Sequence, residues 1–366
     1  MYTNNEKVLI WLSMFDGMTN SKVDKLLSFY AQPIDIFNKL VADGNTIKKI
    51  VGEQIYFKML NTDNLQIRDY IQNLTDMGVK CVTRFSDDFP SALNEIYDAP
   101  YLLFCKGDVS LLNRRGVAVV GTRMPTAYAR GVTEDFTKVL AEKGLVIVSG
   151  LASGVDKIAH ETALKVNGKT IAVLAGGFNV IYPAMNTNLA KEIEEKGLLV
   201  SEYRPNVFAT KYTFPSRNRI ISALSDAVLI TEAGERSGAL YTKNFAIEQG
   251  KLVFAIPANI TNTRAMGTNK ILKDMQGAIA LHPNDILLQM HIPLVSPYEE
   301  TEKPKIAQEQ GNADEILIIK ALEDGEQTLE SLQEVTKLST KTLNSCLTIL
   351  QIRGLIKKLP GNSYSI

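Results

Sequence analysis

Apolar residues change rhythm twice along this 366-residue chain. Over the first 75 residues they recur at helical spacing: Val8, Leu9, Trp11 and Leu12, then Val23, Leu26, Leu27 and Tyr30. That period predicts amphipathic helices, with no convincing strand pattern. Asp16-Gly17 between the two runs predicts a tight turn, and Thr19, Asn20 and Ser21 are candidate caps for the helix that follows. The outline is a helix-hairpin-helix, which can offer backbone N–H groups to a phosphate or serve only as a packing unit. Residues 76–112 read as an extended connector, with Phe89-Pro90, Ala99-Pro100 and the apolar run YLLFC, which fits an edge strand or a cover over the core ahead.

The second rhythm runs from 113 to 290. Short continuous apolar runs alternate with helical stretches: VAVVG (117–121), LVIVS (145–149), TIAVL (170–174), LLVSE (198–202), AVLIT (227–231) and LVFAIP (252–257). Continuous β-rich runs mark strands buried on both faces, and their spacing leaves room for a helix crossover each time. The expected fold is α/β, a doubly wound, mostly parallel sheet. Residues 291–312 carry three prolines and many charges and read as a linker. In 313–366 three helices precede two short extended pieces joined by Pro360-Gly361, the order of a winged helix. Its third helix would be the reading helix in a DNA-binding version, yet it offers only Lys341 and Arg353, so a structural or protein-contacting role is expected.

Charge narrows the partners. With 40 acidic and 40 basic residues the net charge is zero, so a nucleic-acid site would have to be a local basic pocket. Three scattered cysteines make no CxxC pair and no disulfide framework, and no apolar run reaches the ~18 residues of a membrane span. A soluble, cytoplasmic protein is expected.

In an open α/β sheet ligands sit beyond the carboxyl ends of the strands. The first three strands are followed by Gly121-Thr122-Arg123, by Ser149-Gly150-Leu151-Ala152-Ser153-Gly154, and by Gly176-Gly177. Glycines there would let backbone N–H groups at helix N-termini approach an anion. Two acid-free stretches add cations: Arg114, Arg115, Arg123 and Arg130 in 113–131, and Arg204, Lys211, Arg217 and Arg219 in 203–222. Tyr203, Phe208, Tyr212 and Phe214 are interleaved with the second set. Cations for phosphates and flat side chains for bases suit a single-strand groove, although one or two of the arginines could cap helices and Phe214 could fill the core. A Ser149/Ser153–His160–Asp156 triad can be imagined, but Asp156 and His160 share a helix without a nucleophile elbow. Three separate histidines form no metal-ligand cluster. No catalytic residue, metal or cofactor is expected.

GTRMPTAYARG, SGLASGVDKIAH, GGFNVIYP, SEY, FPSRNRIIS, ERSGAL, AIEQG and GTNKIL occur in that order between about Tyr101 and Leu281. In this the chain resembles the DNA-processing protein A family (DprA, also called Smf). The resemblance implies a Rossmann-like domain at 113–290, a sterile-alpha-motif-like helical domain at 1–75, and a winged helix at 313–366. It further implies a homodimeric mediator of recombination in natural transformation that binds and protects single-stranded DNA and loads the RecA recombinase. Gly121, Arg123, Ser149, Gly150, Gly176 and Gly177 would then hold phosphates, Lys211, Arg217, Asn218 and Arg219 would support the strand, and Phe214 would stack on a base. On this reading Arg219→Ala weakens binding without unfolding the protein. The chain departs from the common pattern at Gly234-Glu235-Arg236 and before Arg217. The alternative is a nucleotide hydrolase of the lysine-decarboxylase-like (LOG) group, whose PGGxGT-type loop is replaced here by Glu232-Ala233-Gly234-Glu235-Arg236-Ser237-Gly238.

Overall fold

The structure, a computed structural model, describes residues 2–294, 312–323, 325–353, 355–359 and 363–365. It divides into two compact units, Met1–Pro293 and Leu294–Ile366.

The first unit is built on nine strands: β1 (Lys80–Thr83), β2 (Leu102–Gly107), β3 (Gly116–Val120), β4 (Val146–Ser149), β5 (Thr170–Leu174), β6 (Leu198–Ser201), β7 (Ala227–Ile230), β8 (Leu252–Ala255) and β9 (Ala278–Ile279). Their spatial order is β1-β2-β6-β5-β4-β3-β7-β8-β9. All six apolar runs fold as strands, β3 to β8, and they pair in parallel with β9 at the end. Every residue of β3, β4, β5, β6 and β7 is buried, as strands covered by helices on both faces must be. The chain leaves β3 toward β4 on one side and reaches β7 on the other. The strand order therefore reverses at β3, which opens a crevice at the carboxyl ends of β3 and β7.

The stretch 76–112 is more than a connector. β1 and β2 join the sheet antiparallel, with Phe104 opposite Ser201 and Gly107 opposite Leu198. Nor does the boundary near residue 75 separate two cores. Val8, Leu9, Trp11, Leu26 and Met59 belong to the same buried cluster as Phe104, Leu174 and Leu199. Trp11 anchors the helical part, edge-on to Phe15 at 5.5 Å and Phe37 at 5.2 Å. The expected helical hairpin is present as Asn4–Leu12 and Asn20–Phe29, the second capped by Thr19. Its turn faces protein: Arg204 donates to Met14 O and pairs with Asp16.

The second unit holds helices Ala313–Glu323, Leu329–Thr336 and Thr340–Ile352. Its three-stranded sheet is ordered β10 (Gln327–Thr328), β12 (Ser363–Ser365), β11 (Lys357–Leu359). β10 adds to the expected hairpin a third strand, paired with β12. Ile318, Leu332, Leu343, Leu347, Leu350 and Tyr364 form a core of its own. Arg353, the C-cap of the third helix, pairs with Glu315 at 3.0 Å. Most of the expected linker and the Pro360-Gly361 turn lie outside the described residues.

Candidate nucleic-acid interface

At the reversal point a cavity of about 830 Å³ opens between the loops after β3 and β7 and the start of the helix Thr213–Ala223. It brings together six residues expected from sequence: Gly121, Arg123, Lys211, Phe214, Arg217 and Asn218. Arg123 is exposed, and its guanidinium lies over the half-buried Phe214 ring, 5.5 Å from the centroid. Tyr182 meets Phe214 from another side, edge-on at 5.5 Å. Lys211 leans on the ring of its neighbour Tyr212 at 5.0 Å. The sequence reading missed Tyr182 and the lining residues Arg236, Arg264 and Tyr241. Arg236 and Arg264 follow β7 and β8, so the strand-end rule finds them once it is carried past the first three strands.

Two of the strand-end loops hold the protein's own carboxylates. Asp156 is buried and accepts from the N–H groups of Gly150 (3.1 Å) and Ala152 (3.4 Å). Glu232, also buried, accepts from Thr126 N–H and Thr126 Oγ1, both at 2.9 Å, and from Asn262 Nδ2 at 3.1 Å. Thr126 caps the helix Ala127–Glu142, so Glu232 sits where a helix N-terminus would otherwise attract a phosphate. Burial pushes the Asp156 carboxyl above its ordinary range, while Arg217 and the two N–H groups pull it back. Arg217 is held down to about 10 by burial, with Asp156 opposing. Each favours the charged form of the other.

Several expected phosphate contacts therefore need correction. The Ser149 hydroxyl is fully buried and donates to Val119 O. Gly150 is glycine because the Arg217 guanidinium packs on it, and a Cβ there would lie 2.5 Å from Arg217 Cζ. Arg217 donates to Gly150 O at 2.6 Å and also to Val173 O, tying the ends of β4 and β5 together beneath the pocket. Gly176 and Gly177 are buried against the backbone of 204–209, where a Cβ would collide with Val207 O and with Arg204 O respectively. Asn218 lines the pocket but spends its amide on Gly238 O and Arg217 Nε. Arg219 points away. It is 4% exposed, pairs with Glu202 at 2.7 Å, and donates twice to Asp98 O at 3.0 and 2.7 Å. Arg115 is spent at the opposite end of β3, on Asp226 and Met290 O, and Arg114 donates to Gly144 O.

The imagined triad has no common centre. Thr170 Oγ1 donates to Ile147 O, so the buried His160 donates through Nδ1 to Thr170 Oγ1 at 2.7 Å. Its Nε2 accepts from Leu151 N–H at 3.3 Å, which pins Leu151 at φ 57°. Burial, with Arg217 nearby, lowers His160 to about 3, so it is a neutral strut. Among the described residues no cluster of His, Cys, Asp and Glu could hold a metal, and no helix is long and apolar enough to cross a membrane.

A doubly wound sheet with self-occupied helix N-termini and a cationic, aromatic-floored cavity at its switch point defines a Rossmann-like protein. The family model described as DNA recombination-mediator protein A matches residues 80–291, and the chain belongs to that family. It is 44% identical over 207 residues to the DNA processing protein DprA of Bacillus subtilis, covering 56% of this chain and 69% of that protein. It is 37% identical over 261 residues to the Streptococcus pneumoniae DprA, covering 70% and 89%. The X-ray structure of the S. pneumoniae protein superposes with a TM-score of 0.66 at 32% identity, covering 80% of this chain and 99% of that one. A structure of the Helicobacter pylori DNA processing protein A, reported for its single-stranded DNA binding mode, gives a TM-score of 0.54 at 34% identity and covers 58% and 95%.

Proposed function

We propose that this chain is a recombination mediator that binds single-stranded DNA at the cavity between β3 and β7. The observation that carries this reading is Arg123 over Phe214, ringed by Lys211, Arg236 and Arg264. Exposed cations neutralise phosphates, and a π-face serves any base, so the site favours strands over sequences. The H. pylori relative is reported for single-stranded DNA binding, which supports a strand as the ligand. In its finer form the protein acts in the cytoplasm as a homodimer, protects incoming DNA and loads RecA during natural transformation.

A nucleotide hydrolase is the second reading, because such enzymes share the fold. Asp156 and Glu232 speak against it, since the backbone donors that would cradle a nucleotide's phosphates already hold carboxylates. The test is fluorescence anisotropy of labelled oligo(dT), competed with duplex of equal length at two salt concentrations. Preference for the single strand, with log affinity falling by about 0.7 per contacted phosphate and per decade of salt, is expected. Equal binding to duplex, or release of base or phosphate from nucleoside monophosphates, would favour the second reading.

A further inference from the structure

Past Arg236 the surface falls into a second concavity of about 760 Å³. Arg236, Ser237 and Tyr241 line both it and the first cavity, so the two share a wall. Lys243 and Lys270 line the far side, the first on the helix Ala239–Glu248 and the second on the helix Met266–Lys273. Glu235 and Asp274 also reach the rim.

Lys243 is the unusual member. It is 8% exposed, and its ammonium donates to the neutral Gln276 Oε1 at 2.7 Å. Among the described residues no carboxylate lies within ion-pair distance of it. An ammonium has three donors, and a buried charge lacking an opposite partner is costly unless something supplies one. Burial holds Lys243 below the usual lysine range, and Lys270 pushes the same way against a pull from Asp274. Asp274 partly offsets the charge and Lys270 adds to it. With Arg236, Lys243 and Lys270 against Glu235 and Asp274, the concavity keeps an excess of positive charge.

We propose that Lys243 and Lys270 form a phosphate subsite for the nucleotides that continue past Arg236, so that one strand spans both concavities. This rests on the reading of the first cavity as a strand site. A phosphate there would pair the buried ammonium and separate two like charges, with Arg236 bridging to the preceding phosphate. A free phosphate or pyrophosphate shares that chemistry, and the test separates the two sources.

The experiment measures anisotropy of two labelled oligo(dT) probes, about 4 and about 16 nucleotides long, with full-length wild type, Lys243→Met and Lys270→Glu. Thermal unfolding checks that each variant is folded, and Lys270, being exposed, keeps the test alive if Lys243→Met is not. Each variant is expected to weaken the long probe about tenfold and leave the short one unchanged. Its salt slope on the long probe should be shallower by about 0.7 per lost contact. Unchanged affinity for the long probe, or an equal loss for both probes, overturns the subsite while leaving the first cavity standing. Pyrophosphate that binds the wild type tightly while leaving the affinity of the long probe unchanged also overturns it, in favour of a free-anion site. Wild type that binds neither probe removes the first cavity and this subsite together.

Discussion

Arg219 is sealed between Glu202 and Asp98, which lie 17 and 121 residues away in the chain. Arg219→Ala should therefore destabilise the fold by about 2–3 kcal/mol, because it removes the bonds to Asp98 O and leaves the half-buried Glu202 with Asn20 as its remaining side-chain partner. Denaturant titration reads this directly, and a variant as stable as wild type would restore Arg219 as a candidate binding residue. Lys211 sits in the same acid-free stretch, yet it is exposed at the cavity. A charge count cannot tell the two apart, since the partners of Arg219 are beyond any local window. Phe214 is half-buried with a face toward Arg123. Phe214→Ala should cost ~1–3 kcal/mol for an oligonucleotide and almost nothing for pyrophosphate. Equal losses for both ligands would make the ring a shaper of the pocket and no stacking platform. His160 yields a pH signature. Its folded pKa near 3 lies below the ordinary value of about 6.5, so only the unfolded chain takes up its proton between those limits. Stability from this residue is complete above about 6.5 and is lost as pH falls toward 3. Asp156, raised by burial, has the opposite sign, because the folded state takes up its proton first and its contribution fades as pH rises. Comparison with His160→Gln cancels that second effect. Between pH 6.5 and 5, wild type should lose stability faster than His160→Gln, by up to ~1.4 kcal/mol per pH unit. Parallel profiles would show that His160 is not held neutral.

Among the elements, those with strong internal pattern were legible and those made by partners were not. β3 to β8 are continuous apolar runs, and their burial on both faces is the cause of that pattern. β9 has two residues, β1 (Lys80–Thr83) sets only Cys81 and Val82 between Lys80 and Thr83 and so makes no continuous apolar run, and β2 could be read only as an edge strand or a cover. The carboxyl-edge rule located the cavity, since the loop after β3 and the start of the helix Thr213–Ala223 both line it. The inference from glycine to phosphate competes with a second use of the same residues. Small residues let any chain segment approach, and at Gly150 and Gly177 the segment that came was the protein's own. The helix N-termini tell the same story, since a helix dipole favours an anion without distinguishing a ligand from Glu232.

At the level of the whole chain, cores decide what can be cut away. The N-terminal helices share buried residues with β2, β5 and β6, whereas the last three helices and their sheet have a core of their own. A chain ending at Pro293 should stay folded, with a sharp unfolding transition and oligo(dT) binding within a few-fold of full length. A chain beginning at Val79 should expose the face around Phe104 and Leu199 and aggregate. Circular dichroism and size exclusion check both, and a monodisperse, cooperatively folding 79–366 fragment would contradict the shared core. Neutral net charge has its own consequence, since general attraction to polyanions is absent and any preference between strand and duplex rests on local sites. The seated carboxylates of Asp156 and Glu232 bear on inhibitor chemistry. A compound built to mimic a nucleotide would meet negative charge where its phosphates need donors. A small molecule aimed at this protein would do better as a flat ring with no phosphate at all, stacked beside the Phe214 face in reach of Arg123.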